Sequence, residues 1–187
     1  FRLTTQIKWR SNRYGASPTT TMIIFLYGAD DYRRQQRAKF YIAEFQKKYS
    51  GLSVERFDMA QEDSAPRLGE FLRGQSLFGS YKMAVVENVC ELGENKTFAS
   101  LLKRFLKIGR EATILLSEQK EPPKELGFLT DKPAIAEEFE TLKGARFEAL
   151  VERIAQEKGV LLSPSAQSLI ARAYEGDTWS MVTELEK

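Results

Sequence analysis

Short apolar runs alternate with longer amphipathic stretches along residues 22–142. Ile23, Ile24, Phe25, Leu26 and Tyr27 form an unbroken apolar run ended by Gly28, the pattern of a strand buried on both faces. Asp30 or Asp31 then stands where a helix cap belongs. Ala38, Tyr41, Ile42, Phe45 and Tyr49 recur at helical spacing, and Gly51 ends the stretch. Residues 52–57 read as a second, less buried strand, and Pro66 opens a short helix through Leu72. Residues 82–89, built on Met83, Ala84, Val85 and Val86, predict a third strand. Phe98, Leu101, Leu102, Phe105 and Leu106 make an amphipathic helical stripe that Gly109 closes. Thr113, Ile114, Leu115 and Leu116 predict a fourth strand, Pro122 and Pro123 impose a loop, and residues 134–139 read as a fifth strand. Strands alternating with helices predict an open parallel α/β sheet joined by right-handed crossovers.

At Lys143 and Gly144 the strand pattern stops and only helical periodicity remains. Phe147, Leu150, Val151, Ile154 and Ala155 form one stripe, ended by Gly159. Ser163 and Pro164 are a cap and first-turn pair for the next helix, with Ala166, Leu169, Ile170, Ala173 and Tyr174 as its expected apolar stripe. Gly176 and Asp177 break the chain and restart it into Met181, Val182 and Leu185. The expectation is an α/β domain over 22–142 followed by a small all-helical unit over 143–187. The last pattern has no capping glycine after Lys187, so the natural protein is expected to continue.

Composition narrows the chemistry. The chain has 187 residues, 42% hydrophobic and 29% charged, an ordinary globular balance. No apolar run approaches the roughly 20 residues that span a bilayer, so no membrane partner is expected. There is one cysteine, Cys90, and no histidine. A disulfide framework is excluded and a reducing, cytoplasmic setting is expected. Catalysis through a histidine base and zinc sites with a histidine ligand are excluded as well. The formal net charge of +2 is uneven: residues 1–21 hold Arg2, Lys8, Arg10 and Arg13 and no acid, leaving 24 basic against 26 acidic residues beyond them. That first segment is polar, basic and aperiodic, and reads as a leader outside the fold, with a transit peptide as the lesser reading. The remainder carries no strong nucleic-acid footprint, and Lys103, Arg104 and Lys107 read as a solvated helix face.

The turn after the first strand is where a phosphate-binding loop would sit, and such a loop needs two glycines, a lysine and a Ser or Thr at fixed spacing. The chain offers Gly28-Ala29-Asp30-Asp31-Tyr32-Arg33-Arg34-Gln35, with no second glycine, no lysine and no Ser or Thr. Asp30 and Asp31 would repel phosphates, and Arg33 and Arg34 cannot replace the backbone cradle. Glu87, at the third strand's end, is a lone carboxylate where a magnesium-holding pair would stand. Ser117, at the fourth strand's end, occupies a γ-phosphate sensor's place with nothing to sense. The pattern is a nucleotide-switch architecture without the switch; no cofactor, metal or catalytic residue is expected.

Between the second helix and the third strand lie Gln75, Ser76, Leu77 and Phe78, flanked by Gly74 and by Gly79 and Ser80. Two large apolar side chains on a short polar-flanked ledge suit a partner's apolar pocket; a Leu-Phe pair at a helix end also suits a core. With Phe25-Leu26-Tyr27-Gly28-Ala29-Asp30, Thr113-Ile114-Leu115-Leu116, and Gly176-Asp177 followed by Glu184-Leu185-Glu186-Lys187, this segment resembles the delta subunit of the bacterial DNA polymerase III clamp loader, over residues 22–187. The resemblance implies an AAA+-like α/β domain, a helical lid, here truncated, and a C-terminal collar domain absent from this chain. It implies a subunit without its own ATPase, within a DNA-directed DNA polymerase holoenzyme, that binds and opens the sliding clamp (the beta subunit) in DNA replication. Its clamp-contacting residues fall on Gln75, Ser76, Leu77 and Phe78. The implied partners are the clamp, the gamma/tau and delta prime subunits, and primed DNA through the complex. Arg33 and Arg34 depart from the family, where apolar residues are more usual. The alternatives are an AAA+-like ATPase, a nucleic-acid binder, or a scaffold module of another replication or repair complex.

Overall fold

A computed structural model describes residues 21–49, 53–74, 81–90, 95–108 and 112–187. The elements run β1 (Met22–Tyr27), α1 (Asp31–Lys48), β2 (Val54–Asp58), α2 (Ser64–Arg73), β3 (Lys82–Glu87), α3 (Asn95–Ile108), β4 (Ala112–Glu118), a 3-10 helix (Lys124–Leu129), β5 (Ile135–Glu138), α4 (Ala145–Glu157), α5 (Pro164–Ala173) and α6 (Thr178–Leu185). The five strands make one parallel sheet in the order β2-β3-β4-β1-β5. β1 is an interior strand: Ile24 is paired with Leu115 of β4 on one side and Ile135 of β5 on the other. A strand covered on both faces has no side on which to place polar residues, hence its continuous apolar run.

Alternate side chains point to opposite faces, and this divides the core. Ile24, Leu26, Met83, Val85 and Leu115 meet Tyr41 and Phe45 of α1. Phe25, Ala84, Val86, Ile114 and Leu116 meet Leu68 and Leu72 of α2 and Phe98, Leu102 and Phe105 of α3. A separate cluster joins α4 and α6 through Phe147, Leu150, Val151, Ile154, Met181, Val182 and Leu185, and Tyr32 of α1 packs against it.

Several element boundaries and faces differ from expectation. α2 begins at Ser64, two residues before Pro66. This is compatible with proline chemistry, because Pro66 lies in the first turn, where no intrahelical N–H is needed. β3 ends at Glu87; Asn88 has φ of 61° and turns the chain away before Val89. The segment after Pro122 and Pro123 is not plain loop: its 3-10 helix buries Leu126 and Leu129 beneath the α3 face. On α5 the expected stripe is rotated. Leu169 is 63% exposed and Ala173 is exposed, while Ala171 is buried and Ile170 and Tyr174 pack on the helical cluster. Thr21, the last residue of the basic segment, is buried, and its hydroxyl donates to the carbonyl of Phe105 at 3.3 Å. Among the described residues no helix is long and apolar enough to cross a membrane.

Candidate functional site

Two regions are candidates for a functional site: the segment between α2 and β3, and the crevice at the carboxyl ends of β1 and β4. Gln75, Ser76, Leu77 and Phe78 themselves lie outside the described residues. The anchoring of their flanks is clear. α2 ends at Arg73, and the Gly74 N–H donates to the carbonyl of Glu70 at 2.7 Å. The buried Lys82, first residue of β3, donates its ammonium to the carbonyls of Phe71 and Gly74 and lies 5.2 Å from the Phe71 ring centroid. An ammonium at a helix C-terminus satisfies carbonyls that have no intrahelical donor and complements the helix dipole. The end of α2 and the start of β3 are therefore tied together by one side chain.

The second region lies where β1 and β4 run side by side and their outgoing connections lead to opposite faces of the sheet, the position at which open α/β sheets bind ligands. Gly28 closes β1 with φ of 123°. The turn's backbone donors are committed internally. Gly28 N–H donates to the Glu118 carbonyl at 3.1 Å, Asp30 N–H to the Phe139 carbonyl at 2.9 Å, and Arg34 N–H to the Asp30 carbonyl at 3.1 Å. Asp30 is the cap of α1: its Oδ1 accepts from Arg33 N–H at 3.0 Å. Among the described residues no cluster of three or more His, Cys, Asp or Glu could hold a metal ion.

Arg34 fills the crevice. It is 4% exposed; its Nε donates to Ser117 Oγ at 3.1 Å, Nη1 to the Gly28 carbonyl, and Nη2 to Asp31. Ser117, expected to have nothing to sense, accepts from this guanidinium. Beside it, the Glu118 carboxylate accepts from the backbone N–H of Val89 at 2.6 Å and of Cys90 at 3.2 Å. Burial pushes the Glu118 carboxyl above the ordinary glutamate range, opposed by those two N–H groups, the Cys90 side chain and the nearby Arg34 charge. Glu87 is a half-exposed strand end that reaches Arg56 at 3.8 Å.

The same turn meets the helical unit. The Thr178 hydroxyl donates to Asp30 Oδ2 at 2.8 Å and the Trp179 indole N–H to Asp31 Oδ2 at 3.1 Å. The Tyr32 and Trp179 rings meet edge to face at 5.0 Å. Arg33 donates to Asp30 at 3.3 Å and to the Glu140 carbonyl at 3.0 Å. The sequence missed the roles of Arg34, Thr178 and Trp179. One signal was legible: Arg34 and Arg37 continue the spacing of Tyr41 and Phe45, so the buried face of α1 begins with two arginines. Arg37 is held there by a bidentate pair with Glu137 of β5, at 2.8 Å for both its Nε and its Nη2.

The sheet order, the strand-end crevice and the following helices define an AAA+-like α/β fold. Among solved structures, the chain is similar to the Bacillus subtilis DNA clamp loader delta protein YqeN, with a TM-score of 0.59 and 16% identity over 89% of this chain and 52% of that one. It thus spans about half the length of that protein. It is also similar to domain III of the Thermotoga maritima replication initiation protein DnaA, with a TM-score of 0.56 and 12% identity over 91% of this chain and 76% of that one. No protein-family model matches the sequence, and no curated protein matches it at a significant level. At these identities the likeness is one of fold.

Proposed function

We propose that this chain corresponds to part of a clamp-loader delta-type subunit, which performs no covalent chemistry and binds and opens a DNA sliding clamp in the cytoplasm. The observation that carries the reading is the fold shared with a clamp-loader delta protein over 89% of this chain. The chemistry of the strand-end crevice supports it, because a buried guanidinium stands where a nucleotide-driven relative would hold phosphate. Residues 143–187 would be the lid of such a subunit. Leu77 and Phe78 would enter an apolar cleft on the clamp, each contributing roughly 1.5–3 kcal/mol by burial, with Gln75 and Ser76 at the rim. Lys82 would hold the base of that segment against α2. Binding the distorted clamp protomer more tightly than the closed one shifts the ring toward opening, by no more than the difference in affinity. The gamma/tau and delta prime subunits would govern access to this surface, with primed DNA met through the complex.

Titration calorimetry of the chain with a sliding clamp tests the reading, alongside the Leu77→Ala/Phe78→Ala double variant. The expected result is binding by the parent and at least about 100-fold weaker binding by a variant of unchanged thermal stability. Parent binding with a variant that unfolds would assign the pair to the core and overturn the assigned contact. The likeness to DnaA domain III favours a second reading, an AAA+-like ATPase or scaffold of another replication complex. Micromolar binding of magnesium ATP would support the ATPase form of it.

A further inference from the structure

We propose that the crevice at the carboxyl ends of β1 and β4 is an internal cation site, permanently occupied by Arg34, and that this occupancy seats the C-terminal helical unit on the sheet. The inference stands apart from the clamp reading. It begins with the polarity of the crevice. A phosphate site presents donors: free backbone N–H groups of a turn and a helix N-terminus. Here the N–H groups of Gly28, Asp30, Arg33 and Arg34 are already given to Glu118, Phe139 and Asp30. What faces the crevice is a set of acceptors: the Gly28 carbonyl, Ser117 Oγ and the Asp31 carboxylate, with the buried Glu118 carboxylate beside them. Such a set suits a cation and repels an anion. Arg34 answers it with a planar fork of donors in fixed geometry, which a lysine ammonium cannot reproduce.

The occupant is also connected to the helical unit. Asp31 accepts from Arg34 on Oδ1; on Oδ2 it accepts from the Trp179 indole at 3.1 Å and from Gln35 at 2.8 Å. Trp179 stands edge to face on Tyr32, and Thr178 beside it donates to Asp30. A continuous polar chain therefore runs from β1 and β4 through the guanidinium and a carboxylate to the first turn of α6. A diffusible ligand in that crevice would couple the seat of α6 to its own concentration. A guanidinium carried by α1 cannot dissociate, so the seat is independent of ligand. Arg34 acts as a positioning residue.

Trp179 reports its own seat. The chain has two tryptophans, so Trp9→Phe isolates it. In that background Arg34→Ala is expected to shift Trp179 emission to the red and raise its quenching by acrylamide. Guanidinium at about 10 mM, far below unfolding concentrations, is expected to restore both signals by refilling the site, while equal sodium chloride or magnesium ATP does not. Unchanged Trp179 signals in Arg34→Ala, or a failure of guanidinium to restore them, would overturn the proposal, and so would newly gained binding of magnesium ATP. Should Arg34→Ala fail to fold, Asp31→Ala leaves Arg34 its bonds to Ser117 and the Gly28 carbonyl and removes the carboxylate that joins it to Trp179. It is expected to loosen Trp179 with no guanidinium rescue, and an unchanged Trp179 there would equally sink the idea.

Discussion

Gly28 is the residue that lets β1 end against β5. Its φ of 123° is open to glycine alone, and a Cβ there would stand 2.5 Å from the Phe139 carbonyl oxygen. Both faults involve backbone that cannot step aside, so Gly28→Ala is expected to cost about 2–3 kcal/mol, read from urea denaturation. Glu118 makes a different demand. It is buried with a carboxyl pushed upward by desolvation, so the folded chain keeps a proton that the unfolded chain has released. Stability contributed by this group therefore falls as pH rises from the ordinary glutamate range to the raised folded value, then levels off. Glu118→Gln is expected to flatten that slope; a slope of stability against pH identical to the parent's would show that the carboxyl does not titrate there. The sequence marked Glu118 in no way, because its burial follows from the loop of Val89 and Cys90 folding over it.

At the scale of elements, α5 shows where periodicity misleads. Ala166, Leu169, Ile170, Ala173 and Tyr174 have helical spacing, yet Leu169 is 63% exposed. The helix is short and covers the cluster by a strip through Ile170, Ala171 and Tyr174. An apolar residue at the margin of such a strip satisfies the pattern without being buried. Leu169→Ala is therefore expected to change stability by no more than about 0.5 kcal/mol. Met181→Ala, at a fully buried α6 position, is expected to cost about 2–5 kcal/mol; thermal melts of the two variants side by side check the pair. α1 shows the converse. Its buried face opens with Arg34 and Arg37, which a hydrophobicity pattern passes over because the partners that neutralise them, Asp31 and Glu137, sit on the same helix and on β5.

For the whole molecule, the joint between the sheet and the helical unit is polar and small. Thr178 to Asp30 and Trp179 to Asp31 carry it, with Tyr32 the aromatic contact. Removing one hydrogen-bond donor from a buried carboxylate is expensive. Thr178→Val is accordingly expected to cost about 1–2 kcal/mol and to broaden the calorimetric unfolding transition, as the helical unit begins to melt apart from the sheet. A transition that stays as sharp as the parent's would mean that the Trp179–Asp31 bond and the contacts of Tyr32 suffice to couple the two parts.

The sequence by itself determined the five strands, their parallel α/β character, the helical unit after Gly144 and the lack of a phosphate loop. These are local properties: unbroken apolar runs, helical spacing, caps such as Ser163 and Asp177, and glycines where φ is positive. The tertiary structure alone decided the strand order, with β1 between β4 and β5, the burial of Leu126 and Leu129 beneath α3, and the meeting of Gly28, Arg34, Ser117 and Trp179, residues up to 151 positions apart. Contacts of that kind leave no periodic trace. A guanidinium is read as surface until the carbonyl, hydroxyl and carboxylate that receive it are brought together by the sheet.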